Sequence, residues 1–106
     1  MFTEQRKTER KVLRTRVKVA MEGAAPAAGR TSDLGANGVS ITLADPLVAG
    51  QSGVVAFDLL VDGKSVPINA RAKALYCIFS SGEFKVGFQF LNLELNAMTA
   101  IARYLR

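Results

Sequence analysis

Val54-Val55-Ala56-Phe57-Asp58-Leu59-Leu60-Val61-Asp62-Gly63, with the run from Val66 to Phe79 that follows it, decides the fold of this chain. Two long segments rich in apolar and β-branched residues flank Asp62-Gly63, a dipeptide suited to the positive φ values of a tight hairpin turn. Two long antiparallel strands follow from that. The second sets Ile68, Ala70, Ala72, Ala74, Tyr76 and Ile78 on one face against Asn69, Arg71, Lys73, Leu75, Cys77 and Phe79 on the other. A strand of that length needs a bend or a bulge, as strands do where a sheet closes on itself.

Working outward from this hairpin, Ser80-Ser81-Gly82-Glu83 makes a further turn into Phe84-Lys85-Val86-Gly87-Phe88-Gln89-Phe90, where Phe84, Val86, Phe88 and Phe90 share a core-facing stripe. Upstream, Val39, Ile41 and Leu43 alternate within Gly38–Leu43, and Asp45-Pro46 through Gly50 supplies turn chemistry. Arg14 to Met21 alternates as well, with Val17, Val19 and Met21 inward and basic residues outward. Gly23 to Gly29 reads as a hairpin connection, because Pro26 and the flanking glycines bracket residues too small to fill a core. From Asn92 the period changes: Leu95, Met98, Ile101, Ala102 and Leu105 recur at helical spacing, with Asn92 as N-cap, Glu94 in the first turn and Arg103 and Arg106 in the last. The sum is a mainly β domain, a small antiparallel barrel with a C-terminal helical lid.

With 106 residues the chain fits one domain. Its net charge of +5 is uneven, since seven of the fourteen basic residues fall within the first 18 positions. That end attracts anions, and charge alone does not choose among nucleic acid, an acidic membrane surface and a phosphorylated small molecule. The single cysteine, Cys77, excludes an internal disulfide and fits an inert core thiol in a reducing compartment. No signal core or spanning segment is present, so a cytoplasmic location without membrane insertion is expected. The absence of histidine removes the familiar triads, His metal sites and a His general base. Gly63-Lys64-Ser65 looks like the end of a phosphate loop, but Asp58 stands where the leading glycine belongs and the segment joins two strands. Asp58 with Asp62, or Glu83 with Glu94, each have simpler roles at strands, turns or a helix start. The chain is therefore expected not to be an enzyme and to need no cofactor.

Two clusters match a ligand better than a local structural need. Arg6-Lys7-Thr8-Glu9-Arg10 supplies guanidinium forks, which suit phosphates and the O6/N7 edge of guanine. Asp33-Leu34-Gly35-Ala36-Asn37-Gly38 supplies a carboxylate acceptor for guanine N–H groups beside backbone amides.

On these residues the chain resembles the PilZ domain, the bacterial receptor module for the second messenger cyclic di-GMP. The family pattern is RxxxR in an N-terminal arm, a strand, and (D/N)xSxxG before the next strand. Arg6 and Arg10 meet the first part, Asp33 and Gly38 the ends of the second, and Phe84 to Phe90 entering a terminal helix is similar to the family's last strand and helix. Arg10-Lys11-Val12-Leu13-Arg14 also satisfies RxxxR. The pair Arg6 and Arg10 is preferred because it leaves a longer lead into the first strand, with Arg14 free to add a contact. Gly35 stands where the family usually has serine, so one hydroxyl is lost, for which backbone amides from Gly35 to Gly38 can compensate as an anion nest.

The resemblance implies a six-stranded PilZ-like barrel over residues 14–91, a flexible basic arm over 1–13 and a helix over 92–106, all one domain. It implies that Arg6 and Arg10 hold phosphates and guanine, that Asp33 accepts from guanine N–H groups, and that Gly35 and Gly38 allow close backbone approach. Gln5, Arg14 and Asn37 stand as further candidates. Binding would order the arm against the barrel and so signal to a downstream protein not yet identified. The alternative is a degenerate PilZ domain that acts as a protein-interaction adaptor without nucleotide, motivated by Gly35. A nucleic-acid-binding barrel is disfavoured, since the candidate reading face lacks the aromatic pairs that stack unpaired bases.

Overall fold

The Asp62-Gly63 turn forms as its chemistry requires, with φ of 52° and 79° at the two residues. A computed structural model describes residues 10–106. Its strands are β1 (Arg10–Val12), β2 (Arg16–Met21), β3 (Ala27–Gly35), β4 (Gly38–Leu43), β5 (Ser52–Val61), β6 (Lys64–Ser80) and β7 (Glu83–Asn92), followed by helix α1 (Leu95–Leu105). The turn closes β5 on β6 in an unbroken register from Val61↔Lys64 to Ser52↔Lys73. Ser81 and Gly82, with φ of 54° and 82°, repeat the device between β6 and β7.

All pairings are antiparallel, and the sheet runs β1-β3-β2-β5-β6-β7-β4 with a further β3–β4 pairing. That last pairing closes β2 through β7 into a six-stranded barrel, as expected, and leaves β1 as one extra strand. Inside lie residues such as Val19, Leu34, Val39, Ile41, Val55, Leu59, Ile68 and Val86, each at most 1% exposed. At about 25 cal/mol per Å² of apolar surface withdrawn from water, this shared core is what holds the six strands together.

Several expectations need correction. Arg10–Val12, assigned to the flexible arm, pair with Asp33–Gly35 as β1. Both β1 and β2 lie along one edge of β3, because β4 occupies the other. The break between them is bridged by buried Thr31, whose hydroxyl donates to the Leu13 carbonyl (2.6 Å) and accepts from the Thr15 amide (3.0 Å). The connection read over Gly23 to Gly29 is shorter, since β3 begins at Ala27; its small residues hid it from a reading based on apolar alternation.

The register between β6 and β7 shifts twice, at Arg71/Ala72, where the extra residue is Leu91 of β7, and at Ala74/Tyr76, where it is Leu75 and the long strand β6 itself bulges. The second resets the phase: Leu75 and Tyr76 are both exposed, and Cys77, not Tyr76, packs against the core. Asn92 is not the N-cap, because it stays in β7 opposite Arg71. Glu94 takes that position in extended conformation, without a side-chain cap bond and outside the first turn. The helix buries Ala97, Ala100 and Ile101, while Leu95, Met98 and Ala102 face solvent. Alanines on the inner face let α1 lie close to the barrel. Its end is tied down on two sides: Arg103 pairs with Asp62 (2.8 Å), and the Tyr104 hydroxyl donates to the Val12 carbonyl (2.7 Å).

Candidate functional site

Arg10 faces Gly35 directly across β1 and β3. A Cβ built on Gly35 would lie 2.8 Å from one terminal guanidinium nitrogen of Arg10 and 3.2 Å from its Cγ, so the missing side chain is what lets Arg10 lie flat on the strand. From there its Nε donates to Asp33 Oδ1 (2.7 Å), Nη2 sits 2.7 Å from the same oxygen, and Nη2 reaches the Gly38 carbonyl at 3.4 Å. Residues from the two motifs thus meet at one point, although Arg10 and Asp33 are 23 positions apart. Their side chains keep 40% and 30% exposure. A pair this open to water contributes no more than about 1 kcal/mol, so either partner is available to a better-matched ligand.

Arg10 and Asp33 line a groove of about 320 Å³ on the outside of the barrel, in the size range of small-molecule sites. Ser40, Tyr76, Lys85 and Gly87 line it with them, and none of these four was singled out from sequence. The register explains their company. Asp33 pairs with Ser40, Ser40 with Gly87, and Gly87 with Tyr76, giving one row across β3, β4, β7 and β6. That row depends on the irregularities in β3 and β6, which no spacing rule would locate.

Gly38 has a structural role visible here. It is buried at the start of β4, and a Cβ on it would come within 2.1 Å of the Phe88 carbonyl oxygen. Glycine is therefore what allows β4 and β7 to pair at this end. The expected anion nest does not form, since none of residues 35–38 has a positive φ. Instead the Asn37 carbonyl accepts from the Phe90 amide (2.8 Å), pinning the turn to β7.

Of the remaining candidates, Arg14 is exposed in the break between β1 and β2 and does not line the groove. Asn37 lines a separate apolar groove of about 430 Å³ beside α1, with Phe90, Leu93, Met98 and Ile101. Gln5 and Arg6 lie outside the described residues. Among the described residues no group of three His, Cys, Asp or Glu side chains is placed to hold a metal ion, and no helix is long and apolar enough to cross a membrane.

The family model for the PilZ domain matches residues 4–106. The inhibitor of motility MotI/DgrA of Bacillus subtilis superposes with a TM-score of 0.84 at 18% identity, over 97% of this chain and 50% of that one. YcgR of Escherichia coli, solved in complex with c-di-GMP, gives 0.75 at 17% identity, over 96% and 45%. The PilZ domain of YcgR with c-di-GMP gives 0.72 at 14% identity, over 96% and 89%. The chain thus spans about half the length of the first two. No match is found among curated proteins.

Proposed function

The chain belongs to the PilZ domain family, and from that premise we propose that it is a receptor for cyclic di-GMP which binds the dinucleotide at the Arg10–Asp33 groove. The observation that carries this is the convergence of Arg10 and Asp33 on one open groove, joined by the 2.7 Å contact between guanidinium and carboxylate, with buried Gly35 opposite Arg10 making room for its side chain. The structures of YcgR and of its PilZ domain with c-di-GMP support the choice of ligand.

In the free protein Arg10 and Asp33 satisfy each other. A guanine presents donors to a carboxylate and acceptors to a guanidinium, so it can replace that pairing on both sides while phosphates take up the rest of the fork. Arg6 is assigned the second fork, with Gln5 beside it, and contact through Arg6 brings the residues ahead of Arg10 against the barrel. The signal then has a route. Lys11 donates to the Arg106 carbonyl (2.7 Å) and Tyr104 holds the Val12 carbonyl, so a shift of β1 is felt at the end of α1, where a downstream protein would read it. The chain works as a binding module, not an enzyme, in the cytoplasm.

Calorimetric titration with cyclic di-GMP, with GMP as control, tests the reading. Saturable binding is expected to weaken by roughly ten- to 150-fold in Arg10→Ala, the range for a lost hydrogen bond to a charged group. Unchanged affinity in that variant removes Arg10 from the site. No binding by the folded wild-type protein withdraws the receptor reading and leaves the adaptor that Gly35 first suggested.

A further inference from the structure

We propose that the open edge of β6 from Leu75 to Ser80 is where a second copy of this chain docks, strand to strand about a twofold axis at Ile78. The first support is the overhang of β6. Its pairing with β5 ends at Lys73↔Ser52, and the Ala74 backbone is bonded to Gly50 and Gln51. From Leu75 to Ser80 β7 holds one edge, and no described residue pairs with the other.

The second support is the direction of the backbone groups. The two-residue turn at Ser81 and Gly82 makes Ser80↔Glu83 a pair that exchanges hydrogen bonds, and antiparallel alternation does the same for Ile78↔Lys85 and Tyr76↔Gly87. Cys77 and Phe79 therefore point their N–H and C=O groups at the open edge. An antiparallel copy centred on Ile78 sets Cys77 opposite the partner's Phe79 and Phe79 opposite the partner's Cys77, so that all four groups on each side are bonded at once. The spacing of these groups is its own complement, which is what a twofold contact requires.

The third support is the surface beside that edge. Leu75, Ile78 and Phe79 are 51%, 54% and 66% exposed, and the Phe79 ring lies 5.2 Å from that of Phe84, which extends the apolar surface into β7. No charged residue falls between Lys73 and Glu83. Edge strands are ordinarily guarded by charge, proline or a covering element, and this stretch has none of the three among the described residues. The same lack of charge favours a second copy as the occupant, since the axis brings identical side chains together and a charged one would repel itself. With Tyr76, which is 38% exposed, these side chains withdraw roughly 800 Å² in total from water, at about 200 Å² for a large side chain, the low end for a specific interface. The pairing is a reversible dimer set by concentration.

The test is sedimentation velocity on the full chain without cyclic di-GMP, from roughly 5 to 500 µM, the range that brackets a small reversible interface. The mass of the wild type is expected to rise from 11.4 kDa toward twice that value, whereas Ile78→Lys, which sets two ammonium groups face to face on the axis, is expected to stay at 11.4 kDa throughout. Leu60→Lys, at a comparably exposed apolar position on β5, is the control and should dimerise as the wild type does. Amide exchange followed by NMR should slow at Cys77 and Phe79 as the wild-type concentration rises. A wild type that stays monomeric overturns the proposal and leaves the edge to a strand of a different protein. Growth beyond a dimer, dimerisation of Ile78→Lys as in wild type, or unchanged exchange at both amides while a dimer forms overturns it as well. Should Ile78→Lys fail to fold, exchange in the wild type decides. Because no nucleotide is present, every outcome leaves the receptor reading where it stands.

Discussion

Replacing Gly38 with alanine adds one methyl group at a place where the barrel has no room for it. The new Cβ would stand 2.1 Å from the Phe88 carbonyl oxygen, about 1 Å inside ordinary contact. Because the obstacle is backbone, relief requires β4 to move away from β7. That movement disturbs the first rung of the ladder, Gly38↔Gln89, and the Phe90 amide to Asn37 carbonyl bond beside it. Overpacking costs about 1–3 kcal/mol and each weakened backbone bond about 0.5–1.5 kcal/mol, so the substitution should destabilise by about 2–4 kcal/mol. At about 4 °C or more per kcal/mol for a domain of this size, the melting temperature should fall by about 10 °C or more. Thermal unfolding followed by circular dichroism, without ligand, measures this. Asn37→Ala, an exposed neighbour, serves as control and should change stability by less than about 0.5 kcal/mol. A Gly38→Ala protein melting within about 3 °C of wild type would refute the reasoning, and would return Gly38 to a role in ligand approach alone.

Two further substitutions probe how the site is built. Thr31→Val keeps the shape of a buried side chain and removes the hydroxyl that joins the Leu13 carbonyl to the Thr15 amide, so it should cost about 1–3 kcal/mol in urea unfolding; no change would show that the break between β1 and β2 is held by other contacts. Tyr104→Phe removes the bond to the Val12 carbonyl and should cost about 0.5–1.5 kcal/mol while leaving ligand affinity nearly intact. Hydrogen exchange in α1 on adding cyclic di-GMP should then respond less than in wild type, and an equal response would refute the proposed route from β1 to the helix.

Legibility from sequence followed the local character of each signal. Asp62-Gly63 and the alternation on either side needed nothing beyond neighbouring residues to specify a hairpin, and it formed as expected. The stripe Phe84 to Phe90 likewise lies in β7. By contrast β3 has Ala27, Ala28 and Gly29 where a pattern reading needs large apolar residues, and that stretch is a strand because β2 pairs with it, the pairing with β4 beginning at Arg30. The inner face of α1 was misjudged for a related reason: alanines, not the larger Leu95 and Met98, turn inward where the helix must lie close to the sheet.

The candidate site divides along the same line. Residue chemistry marked the two clusters, Arg6 to Arg10 and Asp33 to Gly38, because guanidinium forks and a carboxylate beside glycines are properties of the chain itself, and the resemblance to the PilZ pattern singled out Arg10, Asp33, Gly35 and Gly38 within them. The barrel decided the rest: that Gly35 makes space for the Arg10 side chain, that Gly38 serves the β4–β7 contact, and that Tyr76 and Lys85 stand beside Arg10 and Asp33. These relations depend on cross-strand register, and register here turns on a bulge in β3 and another in β6. A one-residue slip in a strand reverses every side chain beyond it, so which residues share the groove is set only when the strands pair and the barrel closes.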